Sequence, residues 1–167
     1  MLLVAAPALA GTIEGRVIEV PDGASITVLA KEGSSIHRIK LAGIDAPGKE
    51  RAIGGSSRES LRRMARGKTV RVETTKINAR GLLVGVVQIE RGPKDCLHPP
   101  CSPLFDPGIS QLSAGLAKVN KSNLANLSKE TQQLYLTTQE QARAQRRGLW
   151  REGAVSVSHE GLPPRTR

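Results

Sequence analysis

Two groups of residues have the types and spacing to do chemistry. Arg58, Arg62 and Arg66 recur at every fourth position, so on a helix they share one face. A row of guanidinium groups can follow a phosphate track. It can equally be an ordinary solvated face, and the spacing alone leans that way. Cys96 and Cys101 stand close together with Pro99 and Pro100 between them. Joined, they would close a tight disulfide loop, which an oxidising compartment permits; in the cytosol they stay free thiols. A metal needs more ligands than these two sulfurs and the adjacent His98, so a metal site ranks well below the disulfide.

The elements that must carry these groups can be read along the chain. From Thr12 to Val28 the residues alternate in strand fashion, interrupted by Pro21-Asp22-Gly23, and Asp-Gly after a strand marks a hairpin. A second turn, Lys31 to Ser35, leads to a third strand from Ile36 to Ile44, completing a meander. Ser56-Ser57-Arg58-Glu59 reads as a capping box that opens a helix, and Gly67 ends it. Strands over Lys68 to Thr75 and Leu82 to Glu90 flank a turn through Asn78-Ala79-Arg80-Gly81. A loop then runs from Arg91 to Pro107, followed by a short helix over ISQLSAGLA. A long helix runs from Ser128 to Arg147, with Gly148 as its stop. Five strands, a helix between the third and fourth, and helices at the end form the element order of an OB-fold barrel, a mainly β member of the α+β class. Element order names no function.

At 167 residues the chain has room for one domain with one hydrophobic core. It carries 25 Lys and Arg against 15 Asp and Glu, a net charge of +10. A field of that sign attracts polyanions, nucleic acid first among them. The aromatic residues are Phe105, Tyr135 and Trp150 alone. Base-stacking platforms are therefore scarce, and affinity for nucleic acid should be electrostatic and salt-dependent.

The first ten residues, MLLVAAPALA, are uncharged and almost wholly apolar. They are too short to span a bilayer, and their Ala8-Leu9-Ala10 end has the small-x-small pattern of a leader cleavage site. One reading is the remnant of a signal peptide, which makes the protein secreted or periplasmic. The other is an apolar first strand, which leaves it cytoplasmic. On the first reading, residues 1–10 are a leader, residues 11–151 the folded domain and residues 152–167 a loose tail. No membrane span is expected, and a monomer is.

Several segments together resemble the staphylococcal nuclease (thermonuclease-like) family: VIEVPDGASITV, IKLAGIDAP, GKTVRVE, ARGLLVGVV, LSAGLAKV and EQARAQRRGLW. The resemblance covers residues 11–151. It implies an OB-fold and a Ca²⁺-dependent cleavage of phosphodiester bonds in DNA or RNA. Calcium, a hard cation, takes carboxylate oxygens. A glutamate positions or deprotonates the attacking water, and two arginines neutralise charge growing on the phosphate.

Transferred residue by residue, the pattern is incomplete. The family's turn reads Asp-Gly-Asp-Thr, its second aspartate holding calcium; here Asp22-Gly23-Ala24-Ser25 stands there. The other calcium aspartate aligns with Asp45. The glutamate position is Gly48, the first arginine is Lys40 and the second is Arg80. Nucleotide-contacting tyrosines are replaced by Asn78, Lys121 and Asn123. Lysine keeps the charge but not the bidentate fork of arginine, and alanine offers a metal no side-chain oxygen. Glu50 is a substitute base if the loop rearranges, and Asp22 a weak additional metal ligand. Each also has a plain structural reading, Glu50 as a solvent-facing loop residue and Asp22 as the residue that shapes its turn.

The expectation that follows is a nuclease-fold domain that binds nucleic acid or another polyanion, with weak or lost catalysis. Lys40, Arg80, Arg58, Arg62, Arg66, Lys118 and Lys121 would contact phosphates. The alternative is an active, Ca²⁺- or other metal-dependent phosphodiesterase working through Asp45, Lys40 and Arg80. A protein-interaction scaffold, with the cysteine loop as its contact surface, is the third.

Overall fold

The computed structural model describes residues 11–33, 35–92, 100 and 102–151. Residues 1–10, read above as a leader or a first strand, the cysteines Cys96 and Cys101, and residues 152–167 lie outside the described residues. Strand β1 (Thr12–Asp22) turns back into β2 (Ser25–Ala30), and β2 into β3 (Ile36–Leu41). After the short β4 (Ile44–Asp45) and helix α1 (Ala52–Ala65) come β5 (Thr69–Ile77) and β6 (Leu83–Glu90). These pair in the order β3-β2-β1-β5-β6, and a parallel pairing of β3 with β6 closes the sheet into a five-stranded barrel. The fold is thus the α+β OB-like barrel that the element order implies.

Alternation along the strands explains the barrel's interior. Val17, Ile26, Val28, Ile39, Leu41, Val70, Val72, Val84, Val87 and Ile89 are all buried; Ile26 and Val28, Ile39 and Leu41, Val70 and Val72, and Val87 and Ile89 keep the two-residue period of a strand, while Val84, three residues before Val87, departs from it. Leu61 and Ala65 of α1, and Leu112 of α2 (Pro107–Ser113), join the same core. Helix α4 (Lys129–Ala144) packs on α2, and the buried Tyr135 connects them: its hydroxyl donates to Asp106 Oδ2 at 2.6 Å. Asp106 also caps α2 by accepting from the Gly108 N–H at 2.6 Å. Burial pushes the Asp106 carboxyl above its ordinary value, although both hydrogen bonds pull the other way. The Tyr135 phenol is pushed up by burial and then by the Asp106 charge, so it stays the donor.

Several sequence expectations need correction. Helix α1 opens at Ala52 rather than at Ser56, with Arg51 at its N-cap and no side-chain cap. Ser57 is buried, and its hydroxyl donates to the Leu116 carbonyl at 2.7 Å, so it bridges elements instead of capping one. The expected strand from Ile36 to Ile44 breaks at Ala42-Gly43. Gly43 takes a φ of 74°, which sends Ile44–Asp45 to pair with β8 (Lys118–Val119) in a separate two-stranded sheet. The loop expected from Arg91 to Pro107 contains β7 (Leu104–Phe105), which adds to the edge of β6, and its last residue already opens α2. Helix α2 stops at Ser113 rather than running on to Ala117. A further short helix, α3 (Lys121–Leu124), follows β8. Ser128 lies outside α4 as its N-cap, accepting from the Thr131 N–H. The chain leaves α4 at Ala144, and Arg146 already has a φ of 49° ahead of Gly148. No helix among the described residues is long and apolar enough to cross a membrane.

Candidate functional site

Three turns meet at one end of the barrel: the β1–β2 turn, the segment after β4 and the β5–β6 turn. They wall a cleft of about 470 Å³, lined among others by Asp22, Ala24, Lys40, Asp45, Gly48, Lys49, Asn78 and Arg80. A larger cavity, about 700 Å³, opens at the opposite strand ends. Its walls mix Arg16, Lys31 and Arg71 with Glu14 and Glu90, so it presents no single sign of charge. The smaller cleft is the better candidate because its chemistry is ordered by specific bonds.

Each turn is fixed locally. Asp22 Oδ1 accepts from the Ala24 N–H at 2.8 Å, so this carboxylate shapes its own turn. Gly23 sits hard against Ser57, where any Cβ would overlap the serine hydroxyl. The Gly23 carbonyl accepts from Gln111 Nε2 at 2.8 Å, and the same amide donates to the Ser57 carbonyl at 2.9 Å. Gln111 is fully buried; it ties the turn to α1 and α2 at once. In the β5–β6 turn, Asn78 Oδ1 accepts from the N–H groups of Arg80 and Leu82 at 2.9 and 3.0 Å. That arrangement holds the backbone of Arg80 while its exposed side chain lines the cleft.

Lys40 is the next-to-last residue of β3, opposite Ser25 on one side and Val84 on the other. Its ammonium donates to Asp45 Oδ1 at 2.5 Å. The second oxygen of Asp45 accepts from Asn120 Nδ2, also at 2.5 Å. The orientation of the Asn120 amide is determined by its other end, where Oδ1 accepts from the Ser122 hydroxyl and the Asn123 N–H at 2.6 and 3.1 Å. Turning the amide over would break both bonds and set Oδ1 against a carboxylate. Both oxygens of Asp45 are therefore engaged by oriented donors.

The structure brings Asp22, Lys40, Asp45 and Arg80 to one cleft and leaves the other sequence candidates elsewhere. Glu50 is exposed and does not line the cleft, but its carboxylate folds back over Gly48, into the space that a side chain at that position would take. On α1, Arg58 Nε donates to the Val20 carbonyl at 2.9 Å, and Arg62 makes a forked pair with Glu59 at 2.8 and 3.1 Å. That hydrogen-bonded guanidinium holds the Glu59 carboxyl below its ordinary value. Lys118 stands over the Trp150 ring, 5.5 Å from its centre, with Arg143 at 4.6 Å. Lys121 is exposed at the start of α3. Sequence reasoning missed Lys49, Gln111 and Asn120. Only Asn120 left a signal, as the residue that caps α3, and that signal says nothing of Asp45.

Comparison with known proteins gives a consistent result. A family model described as staphylococcal nuclease homologue matches residues 38–152. The chain is 30% identical over 144 residues to a protein of Escherichia coli O157:H7 described as an uncharacterized endonuclease, covering 86% of this chain and 81% of that one. It is also 30% identical over 155 residues to a micrococcal nuclease of Shigella flexneri, covering 90% and 80%. A shorter match, 34% over 89 residues, is to protein ParB of Escherichia coli, covering 53% and 49%.

Proposed function

This chain belongs to the family of staphylococcal nuclease homologues, and on that premise we propose that its cleft binds the phosphodiester backbone of nucleic acid, or of a comparable polyanion, while cutting it weakly or not at all. One observation carries the reading: the Asp45 carboxylate already has a donor on each oxygen, Lys40 and Asn120. A calcium ion asks for about six to eight oxygens. Around this cleft Ala24 offers no side-chain oxygen and Asp22 has one oxygen committed to its turn. Among the described residues no three His, Cys, Asp or Glu side chains gather as a metal-holding group. This donor set does not fit the cation that the family's chemistry uses. Lys40, Lys49 and Arg80 line the same cleft, a cationic wall suited to phosphate oxygens. No aromatic side chain lines it, so recognition falls on the backbone of the ligand rather than its bases.

The test is cleavage of labelled single-stranded DNA and RNA with Ca²⁺ and with chelator, run beside a binding titration. The expected outcome is binding with no metal-dependent cutting above an Arg80→Ala control. Metal-dependent cutting that Arg80→Ala abolishes would overturn the reading. It would favour a second one, a metal-dependent phosphodiesterase, for which the Glu50 carboxylate over Gly48 is the supporting observation. On that second reading Glu50→Gln loses the cleavage while retaining the binding.

A further inference from the structure

We infer that Asp45 is a built-in competitor for the ligand: a fixed carboxylate that occupies the Lys40 ammonium and sets how tightly the cleft holds phosphate. The inference rests on the binding reading given above and deepens it. Lys40 and Asp45 have side chains 28% and 47% exposed, so both remain within reach of a molecule entering the cleft that they line. The contact that Asp45 Oδ1 makes with the ammonium is the contact a phosphodiester oxygen would make. Both are anionic oxygens that accept a short, charge-assisted hydrogen bond.

The anchoring on the far side explains why this competitor does not simply swing away. Asn120 donates to Oδ2, and its own backbone N–H donates to the Gly43 carbonyl at 2.8 Å. Its side-chain oxygen caps α3. Asp45 itself is paired with Lys118 across the β4–β8 ladder. The carboxylate is thus held by a strand pair and by an asparagine that is itself fixed at three points. A phosphate must take Lys40 from an anion that stays where it is, and must accept that anion as a close neighbour.

The consequence runs opposite to what a metal-ligand role for Asp45 gives. Asp45→Asn removes the negative charge, keeps the shape and leaves Asn120 an acceptor oxygen. It should tighten binding of a labelled single-stranded oligonucleotide by about two- to fivefold, the range expected for releasing one partly exposed ion pair. The gain should vanish in a Lys40→Gln background, because there the ammonium being contested is absent. Binding that is unchanged or weaker in Asp45→Asn overturns the inference. An equal gain in both backgrounds also overturns it, since that marks a general change in net charge. Should Asp45→Asn not fold, Asp45→Ser removes the same charge with a smaller side chain. The binding reading fails separately. If the wild-type chain does not bind but Asp45→Asn does, the reading falls and the inference stands. If neither binds, both fall.

Discussion

Consider the salt dependence of oligonucleotide binding and its response to Arg80→Ala. Among the described residues three cationic side chains line the cleft, Lys40, Lys49 and Arg80, and one of them is held by Asp45. The number of phosphates neutralised is then between two and three, and for a single strand the slope of log K against log salt is about −1.4 to −2.1. Raising salt from about 50 to about 200 mM, a fourfold change, should weaken binding by roughly 7- to 18-fold. Removing Arg80 deletes one contact, so the slope should become shallower by about 0.7. Because the Asn78 bonds that shape this turn reach backbone N–H groups, Arg80→Ala leaves the turn itself intact. Fluorescence anisotropy of a labelled oligonucleotide across a salt series measures both quantities. A slope that stays near its wild-type value in Arg80→Ala would refute the reasoning, because the phosphate contacts would then lie on another surface. A slope near −5 would refute it differently, by requiring more cations than the cleft contains.

Three further predictions concern the frame that holds the cleft. The folded-state value of the Asp106 carboxyl is raised, so its stabilising contribution is fully present below the ordinary value of 3.8 and is lost as pH rises through the folded value. Relative to wild type, Asp106→Asn should therefore gain stability as pH rises above the ordinary value of 3.8, which denaturant melts across a pH series would register; Tyr135→Phe, which removes the donor to a buried carboxyl, should cost about 2 kcal/mol. Gly115 has a φ of 68°, and a Cβ there would run into the Arg147 carbonyl, so Gly115→Ala should destabilise by about 2–4 kcal/mol, seen as a lowered Tm.

The sequence was most informative where the physics is local. Strand alternation, the Asp22-Gly23 turn and the Asn78–Gly81 turn each depend on residues a few positions apart, and each stands in the fold close to where it was read. The start of α1 was misread for a tertiary reason. Gly54 and Gly55 weaken a helix locally, yet a side chain at Gly54 would strike the Gly48 carbonyl, so the glycine is required by packing. Ser57 has a capping residue's chemistry but a bridging role, because Leu116 and Gln111 come to it from the distant α2 region. The contact of Asn120 with Asp45 spans the barrel and the helices after it. It depends on a two-residue strand pair that no local pattern announces. What was legible was the list of groups that could face a phosphate; what was not was which partner each group already holds.

The parallel pairing of β3 with β6 has a consequence for how the chain is made. During synthesis β1, β2 and β3 can form their meander as soon as they emerge, but Ile39 must wait for Leu83 before the barrel closes. Until then β3 and β1 both present unpaired edges, since β5 also arrives late. An exposed edge of that kind recruits other strands, and distant pairings are slow to form. The nascent chain therefore passes through an interval in which half a barrel is open on two sides. A pause in translation before residue 83, or truncation there, should yield an aggregating fragment rather than a smaller folded unit.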